Sequence, residues 1–79
     1  MPRDDLPEWV LQHRWTFGNR LREERVALGL TQEQLAELVG VDNKTVSRAE
    51  NGRYNISIDL IARVAHALDV PSWTLLKPK

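Results

Sequence analysis

Four polar side chains near the middle of the chain have the chemistry to contact the base edges of a nucleic acid. They are Asn43, Lys44, Ser47 and Arg48. In a major groove, asparagine pairs with adenine, lysine and arginine pair with guanine, and serine bonds to several bases. If this segment is helical, at about 100° per residue, the four side chains share one arc while Val46 and Ala49 face the other way. The pattern predicts a helix with one buried face and one face of hydrogen-bonding groups.

The residues before this segment predict a second helix that crosses the first at a tight turn. Thr31 and Gln34 match a capping box, in which the side chain of each residue accepts a hydrogen bond from the backbone N–H group of the other. Ala36 is small enough for the two helices to approach, and Gly40 can adopt the positive φ angle of the turn. Together these signals predict a helix-turn-helix at residues 32–51.

Apolar spacing elsewhere predicts an all-α, compact bundle of about five short helices. One helix is expected to run from Thr16 to a stop at Gly29, another to start at Ser57, and a final turn to start at Pro71. An extra N-terminal helix is expected at about residues 7–15, with Asp5 as its candidate cap. The predicted divisions of the chain are an N-terminal extension at 1–15, a helix-turn-helix domain at 16–76 and a tail at 77–79.

Residues 16–76 resemble the lambda-repressor/Cro-like family of Xre-type helix-turn-helix DNA-binding domains. The resemblance rests on short motifs in order along the chain, namely LR at 21–22, GLTQ at 29–32, LA at 35–36, VGV at 39–41, TVSR at 45–48 and ENG at 50–52. It implies a five-helix bundle whose helix around 43–50 enters the major groove of double-stranded DNA.

The same resemblance implies roles for single residues. Base contacts are expected from Asn43, Lys44, Ser47 and Arg48, and contacts to the DNA backbone from Gln32, Thr45, Asn51 and Arg53. Arg25 is expected to form a structural pair with Glu50, the alternative being that both face solvent. The C-terminal turn would lie near a two-fold axis, with dimer contacts from Trp73, Leu75 and Leu76.

Two residues depart from the family pattern. Ile56 stands where proline is frequent, which leaves the course of the 53–57 loop open. Ala49 stands where a larger aliphatic residue is usual, which predicts thinner packing beneath the helix around 43–50.

The charge balance favours weak non-specific attraction to DNA. Eleven basic and eleven acidic residues give a net charge of zero, whereas DNA-binding domains are usually basic. One reading helix covers only about four or five base pairs, so tight binding requires two copies. The sequence therefore predicts a transcriptional repressor that binds an inverted-repeat operator as a homodimer.

A protein-interaction module, such as an antitoxin or a co-regulator component of a complex, is the alternative function. The zero net charge supports it, as do Trp9 and Trp15 in the N-terminal extension. These two side chains are either an extra layer on the core or a surface for a protein partner.

Other functional classes lack the residues that they require. His13 and His66 have no second metal ligand nearby in sequence, and the chain has no cysteine, no nucleophile motif and no phosphate-binding glycine loop. We therefore expect neither an enzyme nor a cofactor or metal site. Without a secretory signal or an apolar run of roughly 18 residues, a cytoplasmic protein with no membrane contact is expected.

Overall fold

The chain folds into four α-helices and a closing 3₁₀ helix in the computed structural model, which describes residues 6–53 and 55–78. The helices are α1 (Glu8–Ala27), α2 (Gln32–Val39), α3 (Asn43–Glu50), α4 (Ile58–Leu68) and the 3₁₀ helix (Ser72–Leu76). No strand occurs in these residues, so the predicted all-α bundle is confirmed. None of the helices is long and apolar enough to cross a lipid bilayer within the same residues.

Local capping fixes where α2 and α3 begin. The Thr31 hydroxyl accepts from the backbone N–H of Gln34 at 3.0 Å, and the Gln34 side chain accepts from the N–H of Thr31 at 2.9 Å. Asp42 caps α3 by accepting from the N–H of Thr45 at 2.8 Å. Gly40, between the two helices, has a φ of 84°, which L side chains rarely adopt. The predicted capping box and turn are confirmed.

The N-terminal part differs from the expectation of two separate helices. The segment at 7–15 and the helix expected from Thr16 form one continuous helix, α1, so the predicted division after residue 15 lies inside it. No proline or stop signal separates the two parts. Phe17, the residue after Thr16, is buried and anchors the continuous helix to the core. Asp5, expected as a helix cap, lies outside the described residues.

One hydrophobic core joins all five elements. Its buried apolar side chains are Phe17, Leu21, Leu35, Ala36, Val39, Val46, Ala49, Leu60, Ile61, Val64, Ala65, Leu68 and Leu75. Burial of this kind stabilises short helices that would be marginal alone.

The C-terminal turn divides the three predicted dimer residues between two faces. Leu75 is 0% exposed and belongs to the core of its own chain, so its side chain offers no free surface for a dimer contact. Trp73 and Leu76 are 59% and 44% exposed. Since a 3₁₀ helix has three residues per turn, these two lie on one face and Leu75 on another.

Candidate nucleic-acid interface

Helix α3 is held on its inner face by apolar side chains. Val46 is 3% exposed and Ala49 is 1% exposed, and the helix packs against both α1 and α2. Ala36 of α2 is 3% exposed and belongs to the same hydrophobic core. A helix of eight residues needs such packing, because short helices are marginal in water on their own.

Gly18 allows α1 to approach the backbone at the end of α3. A Cβ atom on Gly18 would collide with the carbonyl oxygen of Ala49 and lie 2.7 Å from that of Glu50. Only glycine fits at such a contact. Gly18 is not among the residues predicted from the sequence, although a glycine inside a helical pattern is a known signal of close packing.

The carboxylate of Glu50 joins α1, α2 and α3. Arg25 donates to it from Nε at 2.6 Å and from Nη2 at 3.1 Å, and Gln32 donates from Nε2 at 3.0 Å. Arg22 lies farther away, with Nε at 3.5 Å. Arg25 also donates from Nη1 to the carbonyl oxygen of Leu30 at 2.7 Å, which fixes the loop before α2. We call Glu50, Arg25 and Gln32 the carboxylate cluster.

The ionisation of this cluster follows from its contacts. Burial by itself raises the pKa of Glu50, but the hydrogen bonds from Arg25 and Gln32 and the charge of Arg25 outweigh burial and hold that pKa below its ordinary value. The hydrogen bond to Glu50 raises the pKa of Arg25. Both side chains are therefore charged at neutral pH, and the Glu50 side chain is fully buried. The cluster fixes the orientation of α3 relative to α1 and α2.

The outer face of α3 carries the four side chains predicted to read bases. Asn43, Lys44 and Arg48 are exposed, and Ser47 is half-buried. Neither Lys44 nor Arg48 forms an ion pair within the described part of the chain. The structure thus brings these residues together on one open, hydrogen-bonding surface, which we call the α3 outer face.

The residues predicted to contact the DNA backbone lie around the ends of α2 and α3. Asn51 and Arg53 are exposed just after α3. Asn51 donates from Nδ2 to the carbonyl oxygen of Ser47 at 2.8 Å, which extends the end of the helix. Gln32 starts α2 but is half-buried, and its amide already donates to Glu50. Asn51 and Arg53 are therefore the more open pair.

Thr45 is the fourth residue predicted to contact the DNA backbone, and its hydroxyl is engaged within the chain. It donates to Asp42 Oδ1 at 2.6 Å. This hydrogen bond, and the one from the Thr45 backbone, hold the pKa of Asp42 below its ordinary value. Thr45 therefore serves the cap of α3 in this structure.

No metal site accompanies these residues. Across 6–53 and 55–78, no group of three or more His, Asp or Glu side chains could hold a metal ion.

Sequence comparison identifies relatives over most of the helical region. The model of the helix-turn-helix family HTH_3 matches residues 21–72, which is more than half of the chain. An uncharacterized HTH-type transcriptional regulator of Methanothermobacter thermautotrophicus is 54% identical over 48 residues, which cover 61% of this chain and 70% of that protein. A putative HTH-type transcriptional regulatory protein of Pyrococcus furiosus is 43% identical over 61 residues, covering 77% of this chain but only 18% of the relative.

Two solved structures share the fold. The hypothetical transcription factor NHTF from Neisseria superposes with a TM-score of 0.81 at 38% identity, over 84% of this chain and 76% of that one. The restriction-modification controller protein C.AhdI from Aeromonas hydrophila has a TM-score of 0.76 at 45% identity, over 78% and 94% of the two chains. The chain therefore belongs to the HTH_3 family of helix-turn-helix proteins, and both of these sequence relatives are named as transcriptional regulators rather than enzymes.

Proposed function

We propose that this chain binds double-stranded DNA in a sequence-specific manner, with α3 in the major groove, and represses transcription. The observation that carries the proposal is the division of α3 into two faces. Its inner face is fixed by the core and by Glu50, while its outer face presents four hydrogen-bonding side chains. A major groove about 12 Å wide admits one α-helix, and a helix held rigidly can align its side chains with base edges.

Base recognition would come from the α3 outer face. Lys44 and Arg48 suit the two acceptor atoms of guanine, and Asn43 suits adenine. Ser47 is half-buried and has a short side chain, so its hydroxyl would reach only a base edge that lies close to α3. These assignments make guanine the expected base at two positions of each half-site.

Backbone contacts would set the register of α3 on the DNA. Asn51 and Arg53 are exposed beside the end of α3 and can donate to phosphate oxygens. Gln32 has a second amide hydrogen for a phosphate near the start of α2, since one already bonds to Glu50. Thr45 would reach a phosphate only by exchanging its bond to Asp42.

A homodimer would supply the affinity that one domain lacks. The net charge is zero, so general attraction to DNA is weak and binding depends on specific contacts. Trp73 and Leu76 form an exposed apolar face on the C-terminal turn, which two copies could share around a two-fold axis. The operator would then be an inverted repeat. A dimer bound across a promoter would exclude other proteins from that DNA, which favours repression.

Selection from a random double-stranded DNA library tests the proposal. We expect enrichment of an inverted repeat by the wild-type chain and none by a Lys44→Ala, Arg48→Ala double variant with unchanged thermal stability. In a reporter assay, an enriched site placed over a promoter should lower transcription when the chain is expressed. Failure of the wild type to enrich any motif contradicts DNA recognition, and a raised reporter signal contradicts repression.

A protein-interaction role is the second candidate, and the exposed aromatic surface of α1 favours it. Trp9, which packs edge-on against His13, is 66% exposed on a part of α1 that precedes the matched residues 21–72. An antitoxin or co-regulator would use such a surface to hold another protein. Affinity capture from the native host with wild type and a Trp9→Ala variant tests it. A partner retained only by the wild type, with no DNA motif enriched, favours this function.

A further inference from the structure

An indole ring from the first half of α1 lies against Gly52, two residues after the end of α3. A Cβ atom on Gly52 would collide with Cδ1 of Trp15 and lie 2.9 Å from its Nε1. Gly52 is buried, with a φ of 69°, whereas Trp15 is 63% exposed. The ring therefore covers Gly52 with the edge that carries Cδ1 and Nε1 and leaves most of its surface open.

The position of this ring places a hydrogen-bond donor beside the proposed backbone contacts. Gly52 lies between Asn51 and Arg53, both exposed. The indole N–H group only donates, and it has no hydrogen-bond partner within the described residues. An unpaired donor on a largely exposed ring, next to two phosphate-binding candidates, suits an anionic oxygen.

The helix face that carries Trp15 continues with side chains that suit the same ligand. Asn19 lies one turn farther along α1 and is exposed. Arg22 follows on that face, and its side chain is 53% exposed although Nε lies 3.5 Å from Glu50. Trp15, Asn19 and Arg22 form a row that runs beside the end of α3.

We propose that Trp15 is a further contact to the DNA backbone, its indole N–H donating to a phosphate oxygen next to Asn51 and Arg53. The inference rests on the proposed function, because α3 must first occupy the groove. A neutral donor that contacts phosphate strengthens binding to all sequences alike. Since counterion release depends on cationic side chains, such a contact leaves the salt dependence of binding unchanged.

The test compares Trp15→Phe with Trp9→Phe in the full chain. Phenylalanine keeps a ring over Gly52 but lacks the N–H group, and Trp9 is an equally exposed tryptophan of α1 that packs edge-on against His13 instead. We expect Trp15→Phe to weaken binding by about threefold to tenfold, on both the selected site and a scrambled duplex, with an unchanged salt slope. Trp9→Phe should bind like the wild type.

Neutral methylphosphonate linkages, introduced one at a time into the selected DNA, show whether the N–H meets a phosphate. We expect one position at which neutralisation weakens the wild type but has a smaller effect on Trp15→Phe, while Trp9→Phe behaves as wild type. Equal losses for all three proteins at every position, or full affinity of Trp15→Phe, would overturn the contact. The contact would also be overturned if Trp15→Phe bound DNA more weakly only because its melting temperature fell. The same holds if Trp15→Phe lost a protein partner but kept its affinity for DNA.

The outcome also separates this inference from the function on which it rests. A wild-type chain that enriches no DNA motif refutes the proposed function and removes the contact with it. A wild-type chain that binds its motif, with Trp15→Phe equally tight, refutes only the role of Trp15.

Discussion

Gly18 in α1 lies directly against the carbonyl oxygen of Ala49 in the last turn of α3. The two helices thus meet at backbone level, where no side chain separates them. Together with the bond from Arg25 to Glu50 at 2.6 Å, this contact fixes the end of α3 relative to α1. The orientation of the α3 outer face therefore depends on Gly18, although Gly18 does not contact that face.

The first prediction concerns this contact. Gly18→Ala should lower the free energy of unfolding by about 1–3 kcal/mol or more, because backbone atoms must move to admit the methyl group. Gly29→Ala is the matched control: Gly29 has a φ of 71° but no atom near the added Cβ, so it should cost only about 1 kcal/mol of strain. Urea unfolding measures both. A smaller loss for Gly18→Ala than for Gly29→Ala would mean that the helices do not meet there.

The second prediction concerns acid stability. Because the pKa of Glu50 lies below its ordinary value in the folded chain, the folded state binds fewer protons than the unfolded state at mildly acidic pH. The stability that Glu50 provides is complete above the ordinary glutamate pKa of about 4.3 and is lost as the pH falls through the lower folded value. Glu50→Gln should therefore be less stable by about 2–3 kcal/mol at pH 7 and less sensitive to acid.

Urea midpoints measured between pH 7 and pH 3 test this expectation. Glu37→Gln serves as control, because Glu37 is exposed on α2, and it should keep the wild-type slope. If Glu50→Gln loses stability in acid as steeply as the wild type, other carboxylates cause the acid sensitivity.

The third prediction separates base contacts from backbone contacts. Lys44→Ala and Arg48→Ala should each weaken binding to the selected site by about 1–3 kcal/mol and bring it closer to that of scrambled DNA. Arg53→Ala should weaken both by similar factors and reduce the salt slope by about 0.9. Fluorescence anisotropy at several salt concentrations measures these quantities. Unchanged sequence preference in both α3 variants would remove Lys44 and Arg48 from the base-reading set.

Local features of this fold could be predicted from sequence because they depend on residues a few positions apart. The capping box at Thr31 and Gln34, the turn at Gly40 and the polar arc of α3 are all of this kind. Helical periodicity alone places Val46 and Ala49 inside and Lys44 outside.

Contacts between distant residues could not be predicted in this way. Because Ala49 departs from the family pattern, the sequence predicts thin packing there. In the structure, Gly18, which lies 31 positions earlier in the chain, brings α1 close to the backbone of Ala49. The ring of Trp15 on Gly52 is likewise a tertiary contact. Such contacts depend on how helices cross, which periodicity within one helix does not specify. Trp73 and Leu75 lie on different faces of the 3₁₀ helix, and the packing of that helix on the core decides which face is buried.

The last prediction concerns dimer geometry on DNA. Trp73 and Leu76 lie on one exposed face, whereas Leu75 is buried, so the proposed dimer contact is narrower than the sequence suggested. If two copies pair through this face, their α3 helices should enter successive major grooves on one side of the DNA, about 10 base pairs apart. Trp73→Ala should then reduce the stoichiometry on one operator from two copies to one at equal protein concentration, without lowering the melting temperature.

Changing the operator spacing gives an independent test of the same geometry. Five base pairs inserted between the half-sites rotate one half by roughly 180°, so a dimer with fixed geometry should lose tight binding. Ten inserted base pairs restore the rotation but add about 34 Å, which a contact limited to Trp73 and Leu76 should not span. Two copies that bind independently would tolerate both insertions. Retained affinity with either insertion, or two bound copies of Trp73→Ala, would therefore contradict pairing through the C-terminal turn.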